Sequence, residues 1–169
     1  DGQRAGILTH PYLMAKFAHE TESSPIHRGV FVLRGLLGHA LRPPPEAVTP
    51  LPADLHPSLT TRERVILQTD SATCMTCHAM INPLGFSMEA FDAVGRLRDQ
   101  DRQKPIDNTG HYHTRAGEEK SFHGARELAE FLAQSEETHA AFAEQFFHHL
   151  VQQSIGAYGP ETKQTLTEK

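Results

Sequence analysis

The sequence predicts an all-α fold, and three observations carry that expectation. Apolar residues recur at helical spacing in several separate segments, a capping signal opens one of them, and most of the prolines gather in one stretch. At 169 residues the chain has a one-domain length, with room for a small second lobe.

Two short helices are expected first. Pro11 to His19 opens with proline in a favourable first-turn position and places Leu13, Met14, Phe17 and Ala18 on one side. Ile26 to His39 follows Ser23-Ser24-Pro25 and carries Val30, Phe31, Leu33, Leu36 and Leu37. Pro43, Pro44, Pro45, Pro50, Pro52 and Pro57 then exclude a helix, so this stretch reads as an extended strap. Its Val48, Leu51 and Leu55 favour a strap lying on the surface over a free linker. Thr60 and Glu63 have capping-box spacing and start a helix through Arg64, Val65, Ile66 and Leu67. A further helix begins at Cys74 and is expected to end near Asn82-Pro83. Leu84 to Val94 reads as another, with Gly95 as its stop. Residues 96–123 are polar and read as loop, with room for a short hairpin around His111-Tyr112-His113-Thr114. Ala125 to Gln134 and about Glu137 to Gln153 close the chain, the latter with Phe142, Phe146 and Leu150 stepping by four.

The composition is 38% hydrophobic and 22% charged, with a mean hydropathy of -0.47, as in a soluble globular protein. No run approaches the roughly 18 apolar residues of a membrane span. The net charge of -5 and the lack of a basic stripe argue against a nucleic-acid partner. The chain opens on polar residues from Asp1, as expected of a processed protein or a piece of a longer one.

The two cysteines stand three apart, and the residue after the second decides their meaning. A zinc ribbon needs a second ligand pair at matching spacing, and a thioredoxin-like motif needs a preceding strand; neither is evident. Cys74-Met-Thr-Cys77-His78 is instead the C-x-x-C-H pattern of covalent haem attachment. On one helical turn both thiols point at the two vinyl groups of a porphyrin, and His78 falls under the iron as an axial ligand. The expected cofactor is one haem c, attached outside the cytoplasm, which implies a periplasmic or secreted protein. The Asn82-Pro83-Leu84 turn is expected to offer a backbone carbonyl to the free ring N–H of His78. Pro83 and Phe86 are the further candidate haem contacts.

The sixth iron position is open in the sequence. Met75 and Met80 lie on the proximal helix, and Met88 follows it on the same side. Met14 is free of these constraints and is the candidate metal ligand beside His78. Met88 through a wrapped loop, His139, His149, a loop histidine such as His111, His113 or His123, or no ligand at all are the alternatives. Asp107-Asn108-Thr109-Gly110 resembles part of a calcium loop but reads better as a plain turn. Arg28, Arg62 and Arg96 are candidate propionate partners, and Glu89 and Asp92 candidate partners for arginine.

Several motifs occur in order: Leu8-Thr9-His10-Pro11, Ser24-Pro25-Ile26-His27-Arg28-Gly29, Arg42-Pro43-Pro44-Pro45 and Thr61-Arg62-Glu63-Arg64. Cys77-His78 with Asn82-Pro83-Leu84-Gly85-Phe86, and Glu89-Ala-Phe91-Asp92-Ala-Val-Gly95-Arg96, complete the series. The chain thereby resembles the cytochrome-like domain of the large secreted, multidomain proteins of planctomycetes and related bacteria. The resemblance implies an exported haem-bearing module of a longer polypeptide and supplies no substrate. Members often carry a histidine before the haem motif, where this chain has Gln68.

The expected architecture is a cytochrome c-like helical core over residues 58–169. Residues 1–57 form a helical extension and proline-rich strap upon it. The expected role is electron transfer to a redox partner protein or a neighbouring redox domain of the same polypeptide. The alternative is a peroxidase-like haem enzyme, or a gas or redox sensor, with an open sixth site. The Gly85-Phe86 and Phe91-Asp92 elements are similar to those that follow a haem motif in di-haem peroxidases.

Overall fold

Helix α4, Ala72–Phe86, is the axis of the protein, and the neighbouring elements are placed by how closely they approach its backbone. The computed structural model describes residues 2–43 and 56–167. Most of the expected proline-rich strap, residues 44–55, lies outside them.

Helix α1 spans Pro11–Lys16 and α2 spans Pro25–Val30. Each has proline in its first turn and a capping side chain before it, His10 and Ser24 respectively. The chain continues from α2 through a π-helical segment, Phe31–Leu36. Helix α3, Thr61–Gln68, begins with the expected capping box. Thr60 Oγ accepts from the Glu63 N–H at 3.2 Å, and Glu63 accepts from the Thr60 N–H at 2.7 Å.

Helix α2 crosses α4 with its backbone almost touching. A methyl group at Gly29 would overlap the Ile81 carbonyl, and one at Gly85 would overlap the Pro25 carbonyl. These two approaches, 25 with 85 and 29 with 81, make the pair antiparallel and require glycine at both crossings. Val32, Leu33, Leu37, Ile81, Leu84, Met88 and Phe91 form one core together with Leu8 and Met14.

The all-α expectation is overturned: two small antiparallel sheets make the fold a mixture of helices and strands. Strands β1, Gln100–Asp101, and β2, Lys104–Pro105, pair across a tight turn. Arg102 and Gln103 there take φ of 55° and 64°, as the turn geometry of a two-residue hairpin demands. Strands β3, Thr109–His113, and β4, Glu119–His123, form the larger hairpin. Alternation is present, since Gly110, Tyr112 and Phe122 are buried and their neighbours point outward. The outward residues are polar and one inward residue is glycine, so the period of two carries little apolar signal. Gly110 is needed because β3 lies directly on the Pro83 carbonyl and the Ser87 hydroxyl. Helix α4 is thus held between α2 and β3.

Two helix boundaries also need correction. Helix α4 does not end at Asn82-Pro83 but carries Pro83 inside it and runs to Phe86. Burial of every residue from Ile81 to Phe86 outweighs the missing proline N–H. Leu84 to Val94 is correspondingly not a separate helix. After Phe86 the chain turns through Ser87–Ala90, and Phe91 bridges to Leu97.

Helix α5, Gly124–Gln134, buries Ala125, Leu128 and Leu132. Helix α6, Glu136–Val151, turns Ala141 inward and leaves Phe142 and Phe146 68% and 52% exposed. A short final helix, α7, covers Thr162–Thr167. No helix among the described residues is long and apolar enough to cross a membrane.

Candidate functional site

The C-x-x-C-H motif occupies the first half of α4. Ser71 caps that helix by accepting the Cys74 N–H at 3.3 Å. Residues at i, i+3 and i+4 share a helical face, so Cys74, Cys77 and His78 stand together on one side of α4. Both cysteines are free and partly exposed. Cys77 packs against the edge of the core.

His78 is held from behind by a run of hydrogen bonds. Its Nδ1 lies 2.8 Å from Asn82 Oδ1, one turn along α4. Asn82 Nδ2 donates to Thr69 Oγ1 at 2.9 Å, and Thr69 Oγ1 donates to the Val65 carbonyl at 2.8 Å. The carbonyl can only accept, which fixes the direction of the whole run. Thr69 gives its proton to Val65, so its oxygen receives the Asn82 amide N–H. Asn82 therefore turns its oxygen to His78 and accepts a proton carried on Nδ1. In the neutral ring Nε2 then carries the lone pair, and it has no hydrogen-bond partner among the described residues. Asn82 and Thr69 are both buried, so water does not compete for these bonds.

The expected partner of His78 was a backbone carbonyl in the Asn82-Pro83-Leu84 turn. That turn is absent because α4 continues through it, and the Asn82 side chain takes the role. Neither Asn82 nor Thr69 was singled out from sequence as a side-chain partner of His78. The available signal was the i, i+4 spacing of His78 and Asn82 on one helix.

Pro83 and Phe86 lie further along α4 and face other neighbours. The Pro83 carbonyl accepts the Ser87 hydroxyl at 3.1 Å beneath Gly110. The Phe86 ring is buried under the Arg62 guanidinium, 4.3 Å from its centre. Met14 is buried in the core, with its side chain against Gly95, and Met88 is equally buried. His139 is exposed and its Nε2 lies 3.0 Å from the Ala133 carbonyl. His149 is exposed near the end of α6, and His111 and His113 lie on the outer face of β3.

The three candidate propionate arginines all have partners within the chain. Arg28 is fully buried and donates to the carbonyls of Met88, Phe91 and Asp92 at 3.1, 2.6 and 2.7 Å. Burial lowers its pKa to about 10, against the pull of Glu89 at 3.9 Å. Glu89 is itself buried, and desolvation raises its pKa although Arg28 and Arg98 oppose the shift. Arg98 reaches Glu89 at 3.2 Å and Ser23 at 3.1 Å. Arg62 pairs with Asp107 at 3.3 Å and Arg96 with Asp92 at 3.1 Å. Asp107 accepts both the N–H and the hydroxyl of Thr109 and so leads the chain into β3; the expected turn at 107–110 is replaced by the start of that strand.

The donor set fits a c-type haem. Two free thiols share a face with an imidazole whose Nε2 is unbonded and whose ring is held through Nδ1. Cys74 and Cys77 would hold the group and His78 would ligate its iron.

A family model described as PSCyt3, protein of unknown function (DUF1588), matches residues 4–101. That range holds α1 to α4, the C-x-x-C-H motif and the Arg28–Glu89 cluster, and ends before the β3–β4 hairpin. The chain belongs to this family, whose name points to a cytochrome-like domain. No curated protein and no solved structure matches the chain.

Proposed function

We propose that this PSCyt3 (DUF1588) member is an exported mono-haem c-type cytochrome domain that carries single electrons. The observation that supports this most is the Nε2 of His78, unpartnered among the described residues, beside two free thiols on one face of α4. Cys74 and Cys77 would hold the haem through two thioether bonds, one to each vinyl group. His78 would ligate its iron through Nε2, and Asn82 holds the other ring nitrogen, Nδ1, as the donor. Bound haem supplies a one-electron Fe(III)/Fe(II) couple. The electron's partner is a redox protein or a redox domain in the same polypeptide. Thioether attachment outside the cytoplasm makes the working location periplasmic or secreted.

A second reading, a sensor or peroxidase-like enzyme with an open sixth position, is favoured by one observation. Met14 and Met88 both have their side chains committed to the core. Carbon monoxide separates the two. Rapid binding by the reduced native protein favours the open site, and no binding favours electron transfer.

Expression alongside c-type maturation machinery tests the haem itself. One haem should survive acid–acetone extraction, and the C74S/C77S variant should lose it. A chain that emerges without covalent haem, while a control cytochrome is loaded, overturns the proposal.

A further inference from the structure

The chain has twelve histidines, and the structure gives several of them a task. His10 caps α1, His27 meets Ser24, His39 meets Tyr112, His78 meets Asn82, and His123 meets Glu127. His111 and His113 differ. Neither side chain makes a hydrogen bond or ion pair among the described residues, and their rings lie 5.9 Å apart.

We propose that His111 and His113 bind a divalent late transition ion, Cu2+ foremost and Zn2+ more weakly, on the outer face of the β3–β4 hairpin. Residues two apart on a strand share a face, so the two imidazoles project together into solvent. A metal–nitrogen bond of about 2.0–2.1 Å puts the ion roughly 3.2 Å from each ring centre. Two rings on one ion therefore lie no more than about 6.4 Å apart, a limit the observed separation of 5.9 Å meets. The strand register sets Glu119 directly opposite His113 and Ser121 opposite His111. Glu119 is exposed, and its side chain is likewise without a hydrogen bond or ion pair among the described residues. Opposite residues of an antiparallel pair are about 4.5–5.5 Å apart at Cβ, within reach of a carboxylate turning toward the same ion. No lysine or arginine shares this face, which carries Thr109, His111, His113, Glu119, Ser121 and His123. No three such ligands converge among the described residues. The ion is thus held by two imidazoles with water completing its shell, and the Glu119 carboxylate across the hairpin adds nearby negative charge. Imidazole suits copper and zinc, and copper is the tighter of the two in a site of this kind.

The test uses the full chain with C74S/C77S, which removes the competing thiols and makes the result independent of haem loading. Calorimetric titration with Cu2+ should show one site, and the electron paramagnetic resonance spectrum should show nitrogen coupling. H111Q and H113Q should each weaken that site at least about tenfold. E119Q should weaken it by a smaller factor. H148Q/H149Q, a histidine pair on α6, should leave it unchanged. All three positions on the hairpin are exposed, so unchanged circular dichroism confirms that the variants fold. Unaltered copper affinity in H111Q and H113Q, or its loss in H148Q/H149Q instead, overturns the proposal.

Discussion

The proton on His78 sits where it does because a threonine four residues beyond Val65 gives up its own proton first. Each group in the run from Val65 to His78 has one free role left once its neighbour is satisfied, so the tautomer follows without any ligand present. This has a direct test in the apoprotein. Nitrogen NMR should find His78 protonated on Nδ1, and Asn82→Leu should remove that bias. An unchanged tautomer in the variant would show that Asn82 does not place the proton. In the haem-loaded chain, Asn82→Asp should lower the reduction potential, because a carboxylate makes the imidazole a stronger donor and favours Fe(III). A tenfold change in relative ferric affinity is about 59 mV for a one-electron couple, and the shift is expected to be on that order. At this scale the attachment residues were legible, since rare residues at fixed spacing carry their chemistry in the sequence. Asn82 was named there only for its turn. Its side chain faces His78 because α4 does not stop at Pro83, and that depends on what buries residues 81–86.

Helix packing explains why α4 does not stop. Proline in a helix interior costs about 3 kcal/mol, and the loss is offset here by contact on two sides. Gly29 and Gly85 let α2 approach on one side, and Gly110 lets β3 approach on the other. Gly29→Ala or Gly85→Ala would place a methyl group inside a backbone carbonyl, not beside a yielding side chain. Each should destabilise the protein by about 3 kcal/mol, the upper end of the usual range for overpacking, read as a fall in the urea midpoint. Gly2→Ala, in open space, should leave the midpoint unchanged. The helical periods, the capping box and both closing helices were readable because their signals are local. The β3–β4 hairpin was readable only as a possibility. Its inward positions are glycine, tyrosine, phenylalanine and the half-buried Lys120, and the need for glycine comes from α4, far away in sequence. Arg28 shows the same limit from another side. The Ser24–Gly29 and Glu89–Arg96 motifs are both visible in sequence, but that one buries its arginine in the turn of the other is a tertiary fact.

Across the whole molecule, stability is concentrated around α4, and α6 contributes less than its apolar stripe suggests. Phe142, Phe146 and Leu150 line a groove of about 750 Å³ with Ile7, Leu36 and Leu166. Phe142→Ala should cost no more than about 1 kcal/mol, whereas Leu128→Ala, at a fully buried site, should cost about 2–5 kcal/mol. Comparable losses in both would place α6 inside the cooperative core. The pH dependence of stability carries two opposing contributions. Burial works against the charged forms of Asp92 and Asp107, but hydrogen bonds from Arg96, Val94 and Thr109 outweigh it and hold both below the usual carboxylate range. Their stabilisation is present above the ordinary aspartate value and is lost as pH falls through the lowered folded values. Glu89 acts in reverse. Desolvation raises its folded value above that of the unfolded chain, so the folded protein keeps a proton that the unfolded one has released. Its contribution declines as pH rises from the ordinary glutamate value toward the raised one. Glu89→Gln cannot release that proton, so the variant should gain on the native chain steadily across this window. Urea midpoints measured at several pH values give the comparison. Parallel curves for the two proteins would mean that Glu89 is charged in the fold, with Arg28 and Arg98 repaying its burial in full.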